Sequence, residues 1–530
     1  MNFMLAGDGN YTNQMIVAMT SIIANHPARS VHFHMFLSDI AEEDVKKISS
    51  LSNSADCKID VYRMEDYLHY FSSIDPRNSH NPHVSMASNY RLIMTQVLSD
   101  DVSKCFYVDS DMVVDCCLSD VYDSLSDDEL ALVVPEVHSM EYREMVLSRL
   151  DDWEEFSKYR EDPLSYPYFN AGFFLLNVKL AKEVNMFSLI LDFISKHDFI
   201  PYTDQDILNA VIGQMRPGKV RILPPHYDVF WNTDHYVRYS RAYHSPEEIQ
   251  DSFEHPKVIH FCGPWKPWDC GGWPHYELWW KYAEMSPVAS EFLVGNKREL
   301  SDLSYDAMRY RFAWGVEKDL QRSFDCIMEI VRNGIGQAVS YAIDTAKELG
   351  YRDAIQELAP YAAKEAEKGN GDCAIRLGQA YRDGMGVEWN LDLAIYWMQK
   401  AYDSKLYWCK PELYDVMKWK CDMLHKDMFN VASSGSADGN AMSMVQLGRC
   451  YRDGIGVPKD LDLAKEWISK GAESNIVYAF RDISFASFGC RKKYSMLYFS
   501  FISSIKNKGI KSTMFSIFRF LKYQIYLWAR

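Results

Sequence analysis

In Lys104-Cys105-Phe106-Tyr107-Val108-Asp109-Ser110-Asp111 the apolar run Cys105 to Val108 is followed directly by two carboxylates. In extended backbone residues i and i+2 point to the same side, so Asp109 and Asp111 can face one divalent cation at a strand end. Far downstream, HFCGPWKPW, His260 to Trp268, continues another apolar pair, Val258-Ile259. His260 offers a third ligand there. Hard carboxylate oxygens with one imidazole suit Mn2+ or Mg2+ on a diphosphate better than a closed zinc site, and Lys266 then meets phosphate charge. The triplet alone is common: a chain of this length carries about three by chance, and Asp204/Asp206 and Asp460/Asp462 are the others. Only the first ends a strand and has a partner segment of fitting chemistry. The competing reading is a surface turn whose Asp side chains cap backbone amides.

Around this stretch the first half alternates strand and helix signals, the pattern of a parallel sheet with crossover helices. Expected strands are Asn2 to Ala6, Val31 to Leu37, Lys58 to Tyr62, Lys104 to Val108, Leu130 to Pro135 and Gly172 to Val178. Helical spacing covers Tyr11 to Asn25 and Tyr90 to Leu98, and Asp39 with Glu42 reads as a capping box. In open α/β sheets ligands gather outside the carboxyl ends of strands, where Asp8, Asp109 and His260 all fall.

The chain has 530 residues, too many for one core, so about two to four domains are expected. Its 48% hydrophobic and 25% charged residues are those of a soluble globular protein, and a net charge of −16 argues against a nucleic-acid partner. The charge is uneven: residues 491–530 hold nine Lys or Arg and no Asp or Glu. The twelve cysteines are scattered without a CxxC pair and read as reduced, mostly buried thiols of a cytoplasmic protein. Met1 to Ala6 reads as a strand rather than a leader, and no apolar run reaches the roughly 20 residues a spanning helix needs.

Beyond about residue 285 only helical periodicity remains. LGQAYRDGMGVEWNLDLAIYW from Leu377 and LGRCYRDGIGVPKDLDLAKEW from Leu447 match at a spacing of 70. That is about twice a helical-hairpin period, so a degenerate copy is expected between them. The section resembles SEL-one-like repeats, which implies a partner-binding surface; the alternative is a solenoid that only packs on the first half. Met514, Ile517, Phe518, Leu521, Ile525 and Trp528 form a stripe flanked by Lys511, Arg519 and Lys522. It reads as a peripheral contact with an anionic membrane, or else as a terminal cap of the repeats. The expected organisation is an α/β domain over 1–285, a helical connector over 286–365, repeats over 366–480 and a basic aromatic tail over 481–530.

Six separated motifs resemble the retaining glycosyltransferases of family 8. They are AGDGNY at Ala6 to Tyr11, Ser85 with Asn89-Tyr90-Arg91-Leu92, the strand-end DSD, YFNAGFFLLN at Tyr168 to Asn177, YTDQDILN at Tyr202 to Asn209, and HFCGPWKPW. The resemblance implies a GT-A fold with a Rossmann-like mixed sheet and a UDP-sugar donor. It implies Asp8 and Asn10 on the uracil and ribose edges, with Ala6 beside them and Tyr11 stacked on the base. Arg91 and Ser110 would face the donor; Asp109, Asp111 and His260 would hold Mn2+ or Mg2+ on its diphosphate. Gly263 and Lys266 would close over the phosphates, stiffened by Pro264 and Pro267. Asn170, Ala171 and Gly172 would surround the sugar with Asp204 and Gln205, the candidate catalytic pair. Gln205 is a poor nucleophile, so the resemblance implies retention by front-side attack, with Asp204 a candidate for a transient covalent role. Gly9 and Trp265 depart from some relatives. Tyr236, Tyr239, Trp268, Trp273, Trp279 and Trp280 crowd the end of the domain, where some rings are candidates for an acceptor site and most large rings are expected in the core.

The reading is a cytoplasmic, metal-dependent hexosyltransferase that moves glucose or galactose from UDP to a glycan or glycolipid acceptor of the cell surface. A protein partner on the repeats and a peripheral membrane contact through 491–530 accompany it. Two alternatives are a nucleotide-sugar-binding scaffold acting through its repeats and a sugar nucleotidyltransferase, although AGDGNY lacks the basic phosphate loop of the latter.

Overall fold

The computed structural model describes residues 1–53, 56–71, 86–135, 168–197, 200, 203–214, 219–230, 244–263, 265–404, 406 and 409–474. Two compact units divide the chain: one joins Met1–Glu388 and Lys400–Tyr407, the other Trp389–Gln399 and the chain from Trp408 on. Expectations for residues 481–530, and for Ser85, Tyr202, Tyr236, Tyr239 and Pro264, lie outside the described residues.

The first unit is built on strands β1 (Asn2–Asp8), β2 (Val31–Ser38), β3 (Cys57–Arg63), β4 (Lys104–Val108), β6 (Ala131–Pro135), β7 (Phe169–Asn177) and β8 (Val220–Ile222). They lie in the order β3-β2-β1-β4-β7-β6-β8. β1 is parallel to β2 and β4, whereas β7 runs antiparallel to both β4 and β6, so the sheet is mixed rather than all parallel. The strands from β1 grow in one direction to β3 and in the other from β4, which makes the β1/β4 boundary the topological switch point.

Alternation along β1 explains the layers on the sheet's two faces. Phe3 and Leu5 enter a core with Met15, Met19 and Ile22 of helix Thr12–Asn25. Met4 and Ala6 enter the opposite core with Leu92, Ile190 and Ile207. Burying each such large side chain stabilises the fold by about 1.5–3 kcal/mol. A second, three-stranded sheet in the order β5-β10-β9 combines β5 (Met112–Val114), β9 (Val229–Phe230) and β10 (Val258–His260).

Two local expectations need correction. Asp39 does not cap the next helix: Ala41 is the N-cap of Glu42–Ser50, and Asp39 adopts φ 45° with its amide donating to Glu65 at 2.9 Å. The left-handed turn directs Asp39 away from the helix start. The stretch around Arg91 is a 3₁₀ helix, Met86–Ile93, followed by a single α-turn, Met94–Val97, instead of one α-helix.

After the sheets come helices Lys297–Phe312, Leu320–Arg332, Ala338–Leu349, Arg352–Glu367 and Gly371–Asp383. They belong to the first unit, and Gly272 shows how closely: a Cβ there would lie 2.0 Å from Tyr305 N. The second unit contains helix Lys410–Ala437 and the paired helices Ala441–Asp453 and Leu461–Ser474. Among the described residues no hairpin stands for the expected degenerate copy between the two matching repeats; one 28-residue helix, Lys410–Ala437, stands there. Lys420 to Asn430 contains no Gly or Pro to turn the chain. The matched turns do require positive φ: Gly386 has φ 74° and Gly456 φ 68°. Among the described residues no helix is long and apolar enough to cross a membrane.

Candidate active site

A cleft of about 430 Å³ opens at the carboxyl ends of β1 and β4, lined by Ala6, Asp8, Tyr11, Arg91, Asp109, Ser110, Asp111, Gly263 and Lys266. Strand pairing assembles it. His260 pairs antiparallel with Met112, and the Phe261 amide donates to the Asp111 carbonyl at 3.0 Å. A residue 149 positions downstream of Asp111 in sequence is thereby fixed beside it. On the other side the Asp109 amide donates to the Gly172 carbonyl at 2.9 Å. A Cβ on Gly172 would lie 2.7 Å from His260 Cε1 and 2.8 Å from Asp109 Oδ2, so only glycine admits both groups here.

Carboxylate oxygens of Asp109 and Asp111 and a ring nitrogen of His260 all lie within 4.8 Å of one another. Two hard oxygens and one imidazole at this spacing fit Mn2+ or Mg2+. Behind them, His260 Nδ1 is 3.2 Å from Asp228 Oδ1, and Asp228 is fully buried. That contact orients the ring and leaves Nε2, 3.3 Å from Asp111 Oδ1, on the cleft side. Lys266 Nζ donates to Asp111 Oδ2 at 2.6 Å and to the Phe261 carbonyl at 2.6 Å. Burial alone would raise the Asp111 pKa, but Lys266 and His260 outweigh it and hold the carboxyl well below its usual range. Burial likewise opposes a charged His260, and Asp111 with Asp228 overcomes it, raising the pKa well above the ordinary value.

Arg91 is the hub on the other side. Its guanidinium donates to Asp109 Oδ1 at 2.8 Å, the Ala171 carbonyl at 2.5 Å and the Ser88 carbonyl at 2.7 Å, and Nε lies 3.1 Å from Asp204 Oδ2. Its Cζ sits 4.1 Å from the Tyr107 ring centroid, and Tyr107 Oη donates to Asp109 Oδ1 at 2.7 Å. Burial would lower the Arg91 pKa; Asp109, Tyr107 and Asp204 keep it above its ordinary value. Burial is also the main cause that raises Asp204. Gln205 Oε1 accepts from the Ala171 amide at 3.1 Å, and Asn170 Oδ1 accepts from the Gly172 amide at 2.7 Å. Asn209 brackets Phe169 through its amide and carbonyl at 2.7 and 2.8 Å, tying helix Thr203–Leu208 to β7. Arg91, Asn170, Ala171, Asp204 and Gln205 thus form one connected floor.

At the far end, Asp8 Oδ1 accepts from the Asn10 amide at 2.9 Å and caps the short turn Gly9–Tyr11. Gly9 allows the turn to touch Asp39, since a Cβ would lie 2.6 Å from its carbonyl oxygen. Tyr11 is 38% exposed and meets Trp268 edge-on, leaving a ring face beside the cleft. Asn10 is exposed at the rim.

Three features escape a reading of the sequence. Tyr107 looks like an ordinary apolar strand residue, and Asp228 precedes a two-residue strand too short to show alternation. Trp265 turns away from the cleft, 1% exposed, and packs 5.1 Å from Tyr341 of helix Ala338–Leu349. Trp273 Nε1 donates to the Trp265 carbonyl at 2.7 Å. Of the aromatics at the end of the domain, Trp268, Trp273, Trp279 and Trp280 are 0–6% exposed, so these four take the core alternative rather than an acceptor site.

Comparison with known proteins places the first half of the chain in a family. The model of glycosyl transferase family 8 matches residues 2–270, and the Sel1 repeat model matches 371–405 and 441–476. The chain is 26% identical over 272 residues to a putative glycosyltransferase of Haemophilus influenzae, covering 51% of this chain and 73% of that protein. It is 24% identical over 275 residues to the lipopolysaccharide 1,3-galactosyltransferase of Salmonella typhimurium, covering 50% and 72%. Among solved structures, galactosyltransferase LgtC with donor and acceptor sugar analogs aligns at a TM-score of 0.42 and 23% identity, covering 54% of this chain and 96% of that one. A family match across half of the chain, over the residues that build the cleft, makes this protein a member of glycosyl transferase family 8 that also carries Sel1 repeats.

Proposed function

We propose that the chain is a retaining hexosyltransferase that moves glucose or galactose from UDP to a surface glycan or glycolipid. The observation that carries this reading is the convergence of Asp109, Asp111 and His260 beside Lys266 at the sheet's switch point. The relatives' names, among them a lipopolysaccharide 1,3-galactosyltransferase and a lipopolysaccharide 1,2-glucosyltransferase, support a hexose and a surface acceptor.

In this reading Asp109, Asp111 and His260 hold Mn2+ or Mg2+, which supplies positive charge to the donor diphosphate. Lys266 adds a second cation on the same side of the cleft, and Gly263, at φ 92°, gives its loop a turn that a side chain would disfavour. Asp8, Asn10 and Tyr11 receive the nucleoside end. Arg91 holds Asp109 in place at 2.8 Å, and its contact with Asp204 ties the sugar end to the metal end. Gln205 is a weak nucleophile and the Asp204 carboxylate is engaged by Arg91, which favours front-side attack. The acceptor hydroxyl oxygen bonds to the anomeric carbon on the face from which the diphosphate oxygen departs. The hydroxyl proton passes to that departing oxygen. Placement at the cytoplasmic face of a membrane through residues 491–530, and a protein partner on the repeats, belong to the same reading.

The test is release of free UDP from a panel of UDP-sugars with Mn2+, without acceptor, against an EDTA control. Hydrolysis of one donor, abolished by EDTA, is expected. Release of pyrophosphate from UTP and a sugar phosphate, with no UDP-sugar consumed, would replace transfer by nucleotidyl chemistry.

A further inference from the structure

Helix Lys410–Ala437 carries a stripe that the transferase reading does not use. Tyr414, Met417, Cys421, Leu424, Met428 and Val431 recur at alternating steps of three and four residues, the a and d positions of three heptads. Tyr414 is 65% exposed, Met417 48%, Leu424 51%, Met428 53% and Val431 70%, and Cys421 is also exposed. The residues this helix buries are others: Leu413, Val416, Ala432 and Ser436. A contiguous row of large apolar side chains on a charged surface marks an interaction face.

We propose that this stripe is the seam of an antiparallel, two-fold symmetric pairing between two copies of the chain. In an antiparallel pair each a position faces a d position of the other helix. With the axis passing between residues 422 and 423, Tyr414 faces the partner's Val431, Met417 faces the partner's Met428, and Cys421 faces the partner's Leu424. Every layer is apolar on both sides. The flanking g positions are Lys420 and Asp427, and the same register sets Lys420 against the partner's Asp427, twice by symmetry. A parallel pairing would set Lys420 against the partner's His425 and leave Asp427 opposite the partner's Ala432. Charge complementarity therefore selects a second copy in antiparallel register. The stretch from Tyr414 to Val431 spans only about 27 Å, so the seam is small and a dissociation constant of roughly micromolar order is expected. Lys420 also pairs with Asp392 inside the chain, which makes Asp427 the cleaner position for a charge change.

The test is sedimentation of the full chain in reducing buffer across micromolar concentrations, with circular dichroism of each variant as the fold control. The expected result is a reversible monomer–dimer equilibrium that Leu424→Glu abolishes and Asp427→Lys weakens about tenfold. Combining Asp427→Lys with Lys420→Asp should restore it. If Leu424→Glu loses helicity, Met417→Lys serves in its place. Wild-type chain that stays monomeric throughout, as it would with residues 475–530 covering the stripe, overturns the proposal. So does a dimer that survives Leu424→Glu in folded protein, or a charge-exchanged double variant no better than Asp427→Lys alone.

Discussion

Lys266 Nζ lies 2.6 Å from Asp111 Oδ2, across 155 residues of sequence. The contact closes the loop after β10 onto the end of β4, and it is made possible by the pairing of His260 with Met112. The metal-ligand candidates and Lys266 are therefore parts of one arrangement, set by the small sheet.

Gly172 is the tightest point. Gly172→Ala places a methyl 2.7–2.8 Å from His260, Asn170 and Asp109. Overpacking of this kind costs about 1–3 kcal/mol, and the displaced Asp109 and His260 should reduce UDP-sugar turnover more than stability. Denaturant unfolding alongside turnover checks both; a variant with wild-type turnover contradicts the described geometry.

Arg91 is buried between Asp109 and Asp204. Removing it by Arg91→Ala leaves two carboxylates without their counter-charge, and a loss of about 3–5 kcal/mol is expected. Urea unfolding measures it. A change within the range of ordinary surface substitutions would show that the floor is not held by this guanidinium.

Tyr341 supports the loop that carries Lys266 from the helical side through its contact with Trp265. Tyr341→Ala should raise the donor KM roughly tenfold with a smaller change in kcat, because Lys266 is misplaced rather than removed. Tyr341→Phe keeps the ring and should behave as wild type. Equal donor KM for the two variants would confine Tyr341 to packing.

His34 supplies a pH dependence far from the cleft. It is fully buried, and burial, aided by His32, pushes its pKa from 6.5 down to about 4. The unfolded chain binds this proton more readily, so the stability it confers is complete above pH 6.5 and is lost as pH falls toward 4. The span corresponds to about 3 kcal/mol. Comparing wild type with His34→Gln by urea unfolding across that range should show a flatter profile for the variant; parallel profiles would contradict the assignment.

What the sequence shows plainly is local. Lys104 to Asp111 reads correctly because a five-residue strand, apolar from Cys105 on, and the carboxylates that follow it are neighbours in the chain. The repeat turns read correctly because GxGV needs positive φ wherever it occurs. The rest depends on distant partners. The antiparallel run of β7 leaves no mark in its own composition, and strands of two or three residues such as β9 and β10 are too short to show a period. Asp228 and Tyr341 act through contacts that only the folded chain creates. The tryptophans after His260 resemble a sugar platform in sequence, yet burial assigns Trp268, Trp273, Trp279 and Trp280 to packing. Helix Lys410–Ala437 replaced an expected hairpin because a period of 70 does not reveal how the chain between its copies folds.

The central claim is that Asp109, Asp111 and His260 together hold one divalent cation for the donor diphosphate. Electron paramagnetic resonance of Mn2+ titrated into the full chain with UDP tests it most directly. One Mn2+ sequestered per chain is expected, with Asp111→Asn and His260→Gln each losing that binding while keeping their circular dichroism. Undiminished Mn2+ binding in both folded variants would contradict it.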